Sequence, residues 1–274
     1  MYSRVYVEIT NICNMRCSFC HGHNRPSRQM TEAEYAHVLE QLQGKTRYLY
    51  HHLMGEPLLH PLLPRFLQMA RQAGFAPMIT TNGTLLDRVG PALLAAQVHK
   101  INISLHSFEQ DRPKAHRAYL QKIVDFIEEA KQTDTILSLR LWNKGCDDGK
   151  NHVTLDFFRQ AFPEPWTENS RGYRIRDRLF LEWGDRFAWP DKEAAHGGNQ
   201  VFCHGLGDHF GILSDGTVVP CCLDSDGVIA LGNVFSQELS DILSSPRARA
   251  IAQGFSQRKA TEDLCCRCGF ARKF

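Results

Sequence analysis

The sequence predicts an α/β chain, a partial (β/α)6 parallel barrel followed by a small C-terminal cap of hairpin plus helices. Three observations predict it. Apolar runs of strand length alternate with stretches of helical spacing, no hairpin signal separates the units, and three cysteines fall in the loop after the first strand. Strands joined through helices imply right-handed crossovers and a parallel sheet. Parallel barrels carry their active sites in the loops at the C-terminal ends of the strands.

Val5-Tyr6-Val7-Glu8-Ile9 reads as the first strand. Thr31-Glu32-Ala33-Glu34 has capping-box form and opens a helix in which Tyr35, Val38, Leu39 and Leu42 recur at helical spacing, with Gly44 ending it. A strand from Tyr48 to Leu53 leads through Gly55-Glu56-Pro57 into a helix with Leu62, Leu63, Phe66, Leu67 and Ala70 on one face. The unit repeats as strand Pro77 to Thr81, helix Gly90 to Gln97, and strand Ile101 to Leu105. A helix carrying Ile123, Phe126, Ile127 and Ala130 and a fifth strand, Ile136 to Trp142, follow. Asn143 to Arg178 is poorly patterned, with a helix expected around Leu155 to Ala161, before a sixth strand at Leu179 to Trp183. The pattern breaks from Trp189-Pro190 to Gly198-Asn199, which divides a barrel at 1–190 from a cap at 200–274.

The 274 residues, 43% of them hydrophobic, suffice for a substantial core. No apolar stretch is long enough to span a bilayer and the N-terminus lacks a signal-peptide succession, so a cytoplasmic protein with no membrane partner is expected. A formal net charge of +2 supplies no field for nucleic acid, and no large nucleic-acid surface is expected. Ten cysteines in a reducing compartment argue for metal or redox chemistry before disulfides. Cys146 stands alone and reads as a small apolar side chain.

Cys13-Asn-Met-Arg-Cys17-Ser-Phe-Cys20 presents three thiols on one loop, one fewer than a closed four-thiolate cluster needs. A structural zinc site completed by His21 or His23 has the same ingredients. The position after the first strand favours the cluster. With Phe19 between the last two cysteines, the spacing resembles the radical SAM superfamily, in which a 4Fe-4S cluster chelates S-adenosylmethionine (SAM) at its open iron.

That resemblance implies further site residues. Met54-Gly55-Glu56-Pro57 resembles the family's glycine-glycine-glutamate turn, with Met54 in place of the first glycine. Thr80-Thr81-Asn82-Gly83-Thr84 resembles the segment lining the SAM pocket, although Asn-Gly is a turn signal in any protein. The implied SAM contacts are Phe19, Met54, Gly55, Glu56, Asn82, Ser104 and Arg140, the last able to form a bidentate fork with a carboxylate.

Cys203, Gly216 and Cys221, then Cys265-Cys266-Arg267-Cys268, resemble the shortened SPASM, or twitch, iron-sulfur cap. Cys203, Cys221, Cys265 and Cys268 are the implied ligands of an auxiliary 4Fe-4S cluster, the second of two, with Cys222 and Cys266 as neighbours able to substitute. Asp215-Gly216-Thr217 reads as the hairpin turn joining the first pair. A zinc ribbon is the competing explanation, weakened by the wide spacing of that pair.

The family reaction is one-electron cleavage of SAM, fed by a flavodoxin- or ferredoxin-type donor, to a 5′-deoxyadenosyl radical that abstracts hydrogen. Three outcomes are implied: a lyase acting on a modified nucleobase such as queuine, a dehydrogenase of a cyclitol or polyol, or a peptide maturase. The first strand begins near residue 5, and the absence of a preceding recognition domain favours a small molecule. A non-catalytic iron-sulfur or zinc binding module is the alternative of another class. Candidate substrate contacts are Glu8, His21, His23, His52 and His106, with Glu8, His52 and His106 also candidate catalytic groups.

Overall fold

A computed structural model describes residues 1–109, 112–147 and 149–273. Six parallel strands form the wall: β1 (Arg4–Val7), β2 (Tyr48–Tyr50), β3 (Ala76–Thr81), β4 (Lys100–Ser104), β5 (Ile136–Lys144) and, later in the chain, β8 (Leu179–Asp185). Helices α1 (Glu32–Gln41), α2 (Leu63–Gln72), α3 (Leu86–Ala95), α4 (Pro113–Ala130) and α5 (Lys150–Ala161) make the crossovers. The Thr31 side chain accepts from the Glu34 amide while the Glu34 carboxylate accepts from the Thr31 amide, so two orphan donors at the start of α1 are satisfied locally.

The alternation of side chains along each strand sorts them into two faces. Val5, Val7, Ile101, Ile103, Leu137, Leu139 and Leu181 are buried in the core outside the wall. The opposite face carries Arg4, Tyr6, Tyr50, Thr80, Lys100, Asn102, Ser104, Ser138, Arg140 and Glu182. It is therefore polar.

Several boundaries depart from expectation. Strand β2 ends at Tyr50 because the chain turns toward Gly55, although the His51 amide still donates to the Met78 carbonyl at 2.8 Å. Helix α3 begins at Leu86, so Gly90-Pro91 is inside it, not at its start. A Cβ on Gly90 would come within 2.7 Å of the Phe126 ring, which explains the glycine as a close approach of α3 to α4. The larger correction concerns residues 167–185. Strands β6 (Thr167–Asn169) and β7 (Gly172–Arg176) form an antiparallel meander with β8, where no hairpin was expected. Their sequence is exposed and polar on its outer strand, so it lacks the apolar alternation that would mark it.

The C-terminal hairpin of β9 (His209–Ile212) and β10 (Thr217–Val219) turns at Gly216, whose φ of +86° suits glycine. Strand β9 runs parallel to β1, and β11 (Gly232–Asn233) pairs with β10. One eleven-stranded sheet results, in the order β11-β10-β9-β1-β2-β3-β4-β5-β8-β7-β6. Three helices, α6 (Leu239–Leu243), α7 (Pro246–Ser256) and α8 (Asp263–Cys266), complete the chain. No described helix is long and apolar enough to cross a membrane.

Candidate active site

The cysteine triplet follows β1 in an irregular loop, with Cys13 and Cys20 exposed and Cys17 half-buried. The three thiols lie within electrostatic reach of one another. Burial pushes the Cys17 thiol up to about 11, and the nearby Cys20, Glu109 and Cys13 add to it. The Cys20 amide donates to the Cys17 carbonyl at 3.1 Å, and the Cys13 sulfur accepts from the Met15 amide at 3.4 Å. Thiols become ligands by losing protons, so a cationic centre here would reverse the upward push.

Gly55 fixes the approach of the next loop. Its φ is +77°, and an added Cβ would stand 2.4 Å from the Thr10 carbonyl oxygen and 2.8 Å from the Asn11 carbonyl carbon. No other residue type fits that cradle. Glu56 follows, with its side chain inward. It accepts from the Asn82 amide at 2.7 Å, the Thr81 hydroxyl at 2.8 Å and the Leu58 amide at 3.0 Å. Burial raises its carboxyl to about 7 against these bonds, which favour the anion. Glu56 thus ties the loops after β2 and β3 together. The Asn82 side chain donates to Asn14, inside the triplet, at 2.9 Å, and Asn14 donates to Thr84 at 2.9 Å.

Phe19 lies 4.8 Å from the His106 ring, with the Arg186 guanidinium 5.6 Å over its own. Ser104 ends β4 and is in register with Arg140 on β5. The Arg140 side chain is 13% exposed; its Nε lies 3.7 Å from Glu182 and makes no hydrogen bond. Its guanidinium stacks over Trp142 at 4.4 Å. A fork with donors to spare at this place suits a carboxylate. Met54 is buried, and its amide donates to Glu8 at 3.2 Å.

Glu8 is fully buried. Arg25 donates to both of its oxygens at 2.8 and 2.7 Å, and the Ser214 hydroxyl and amide donate at 2.9 and 3.1 Å. These bonds occupy the carboxylate and join the tail of the cysteine loop to the cap. His23 binds the Asn11 carbonyl at 2.9 Å, whereas His21 is exposed beside Trp189. His106 Nδ1 is 3.0 Å from the Arg140 carbonyl oxygen, so that nitrogen serves the backbone. His52 faces the barrel interior and its Nδ1 has no partner. Desolvation drives it down to about 3, with Arg140 and His51 adding to the effect, so the ring is neutral.

The second cysteine group lines a cavity of about 260 Å³ between wall and cap. Cys203, Cys221, Cys222, Cys265 and Cys268 all contribute. Cys266 does not; its side chain is packed in the core. The Cys222 thiol meets the Tyr6 hydroxyl, and burial raises it to about 11. Among the described residues no group of His, Cys, Asp or Glu side chains is set to hold a single metal ion. Thiols spread around a cavity suit a larger centre, and a four-thiolate iron-sulfur cluster is held this way.

Tyr6, Tyr50 and His209 were not singled out by the sequence. The alternation of Arg4, Tyr6 and Glu8, and of Tyr48, Tyr50 and His52, was the available signal.

The model of the radical SAM superfamily matches residues 7–139, and that of an iron-sulfur cluster-binding domain, SPASM, matches residues 203–269. The GTP 3',8-cyclase of Chlorobaculum tepidum is 33% identical over 112 residues, 39% of this chain and 34% of that protein. The tungsten-containing aldehyde ferredoxin oxidoreductase cofactor-modifying protein of Pyrococcus furiosus is 36% identical over 90 residues, 30% of this chain and 24% of that protein. The chain therefore spans well under half the length of these curated relatives. BtrN in complex with AdoMet and 2-DOIA superposes with a TM-score of 0.62 at 17% identity, covering 98% of this chain and 93% of that one. Native anSMEcpe with bound AdoMet and Cp18Cys peptide gives 0.62 at 13% identity, covering 97% and 87%. At these identities the two structures share the fold. A cysteine triplet cradled by Gly55, a second group of thiols around a cavity, and two family models in the matching places have one reading: the chain belongs to the radical SAM superfamily and carries a SPASM-type domain, with 4Fe-4S clusters and SAM as its cofactors.

Proposed function

We propose that the chain is a radical SAM enzyme acting on a small molecule, with Cys13, Cys17 and Cys20 holding the SAM-binding cluster and Cys203, Cys221, Cys265 and Cys268 the auxiliary one. When bound, the cluster and SAM would supply the one-electron chemistry by which a hydrogen atom is removed from the substrate. The chain's own part is to hold and enclose. Phe19 offers a face for the adenine. Met54 and Gly55 bring their backbone against the triplet loop, while Glu56 acts through the loops it ties and Asn82 through its bond to Asn14. Ser104 and the spare donors of Arg140 receive the SAM carboxylate. The observation that carries this reading is the Gly55 cradle, which presses the turn after β2 against the loop of three thiols.

Residues 1–190 form the catalytic barrel and 200–274 the auxiliary cap in this reading. The reaction is a lyase reaction on a modified nucleobase such as queuine. A polyol or cyclitol dehydrogenase is the second reading, favoured by one observation: the auxiliary thiols share a cavity with Tyr6 and Trp142 of the barrel wall, a short path for an electron leaving a substrate. A cytoplasmic flavodoxin or ferredoxin supplies the reducing electron.

Anaerobic reconstitution, iron and sulfide counting, and reduction with dithionite in the presence of SAM test the reading. Release of 5′-deoxyadenosine with about eight irons per chain supports it. Zinc at the triplet, or no 5′-deoxyadenosine, overturns it.

A further inference from the structure

Between the two cysteine groups the inner wall carries a cluster of rings that no cofactor assignment uses. Tyr6 is at its centre. The His52 ring stands edge-on to Tyr6 at 5.5 Å and 86°, and the His209 ring at 5.5 Å and 82°. Tyr50 is 5.2 Å from Tyr6 and 5.7 Å from His52. Tyr6 and His209 also line the auxiliary cavity, where the Tyr6 hydroxyl meets the Cys222 thiol. His52 Nδ1 is buried and without a partner.

The charges around this cluster are already engaged. Arg4 pairs with Asp208 at 2.7 Å, although its Nε has no partner, Lys100 pairs with Glu182 at 3.3 Å, and Arg140, 3.7 Å from Glu182, is the residue given above to the SAM carboxylate. Glu8 is held by Arg25 at 2.7 Å. An anionic ligand would have to compete with carboxylates for these cations, and a cationic ligand would find no open carboxylate among the described residues of the wall. Burying a charge without a partner is unfavourable, whereas aromatic faces and neutral polar tips suit a flat ring with hydrogen-bonding edges. Burial also keeps His52 and His209 neutral.

We propose that Tyr6, Tyr50, His52 and His209 form the substrate-binding face of the barrel, and that it takes an uncharged, flat, hydrogen-bonding ring. His52 Nδ1 bonds the ring edge, and the Tyr6 hydroxyl with the Cys222 thiol bounds it on the cap side. Cys222 is thereby a substrate-facing thiol and leaves ligation to its four neighbours. This rests on the radical SAM reading and adds to the nucleobase proposed there the requirement that the ring be uncharged and the residues that select it.

The test uses the reconstituted holoprotein with SAM, and equilibrium binding of 7-deazaguanine and of GTP as probes. 7-Deazaguanine is expected to bind at least about tenfold more tightly than GTP, a margin of one decade in Kd. Tyr6→Phe and His52→Asn should each weaken 7-deazaguanine binding by about that factor while SAM affinity and circular dichroism stay as in the parent. Cys222→Ser should retain the full iron content. GTP binding as tightly as the base, failure of 7-deazaguanine to bind, variants that bind it like the parent, or iron loss in Cys222→Ser would overturn the assignment. Cleavage of SAM by the same preparation separates these outcomes from failure of the radical SAM reading, which would show as no 5′-deoxyadenosine at all.

Discussion

The two cysteine groups gather their thiols by opposite routes. Cys13, Cys17 and Cys20 come from eight consecutive residues in an open loop, and two of the three are exposed. Cys203, Cys221, Cys265 and Cys268 come from segments up to 65 residues apart, and they line one cavity of about 260 Å³. A loop gathers thiols by local spacing alone but needs outside ties to hold its shape. Here these are Asn82 on Asn14, the Gly55 cradle, and the clamp of Glu8 on Arg25. The cavity is the reverse case. Its thiols sit before and after the β9–β10 hairpin and in and just past α8, against the packed core.

Removing one ligand breaks the comparison most directly. Cys17→Ala should abolish 5′-deoxyadenosine formation and remove about four irons per chain, with the auxiliary cluster spectrum retained. Cys265→Ala should remove the other irons and also lower thermal stability, because it acts within a packed region. Equal effects of the two on melting temperature would deny the difference between loop and cavity.

The tie between the two regions is the next largest. Glu8→Gln leaves Arg25 facing a neutral amide where a buried ion pair stood, and loss of one member of such a pair costs about 3–5 kcal/mol. Chemical denaturation of the apoprotein measures it. A change under about 1 kcal/mol would mean the loop is not clamped to the cap through this residue.

The barrel wall supplies a pH contrast. His51 and His209 are pushed down to about 4 by burial, and His52 to about 3, all below their ordinary value of 6.5. The unfolded chain therefore binds these protons more readily. The sign follows: the stability that depends on the neutral rings is complete above about pH 6.5 and falls as pH drops through 6 and 5 toward 4. Denaturation midpoints at pH 7.5 and 5 should differ accordingly, and His51→Phe should flatten the slope. A midpoint that does not move across this window would contradict burial of these rings.

The smallest effect is local. Thr31→Ala removes the side-chain half of the capping box of α1, while Glu34 keeps the residue-31 amide and Arg28 as partners, for about 1 kcal/mol in the same denaturation assay.

Much of this was legible in the chain. The capping box at Thr31 is a pattern over four residues, and it forms as read. The cysteine triplet is likewise contiguous, and so are the apolar faces of α2 and α4, except that Leu62, expected on the first, is the exposed N-cap residue. Strands β6 and β7 were not legible, because exposed residues such as Thr167, Glu168 and Asn169 carry no burial signal. Nor was the engagement of Glu8, since Arg25 and Ser214 lie 17 and 206 residues away.

By itself the sequence determined which residues can act as ligands and which strands and helices carry them, because spacing and periodicity are properties of neighbours along the chain. Only the tertiary structure decided that Cys222 faces the barrel while Cys266 faces the core, and that Tyr6, Tyr50, His52 and His209 meet on one wall. Those relations depend on strand register and on β9 lying beside β1. Register is fixed by burial across the whole sheet, and no short stretch of residues contains it.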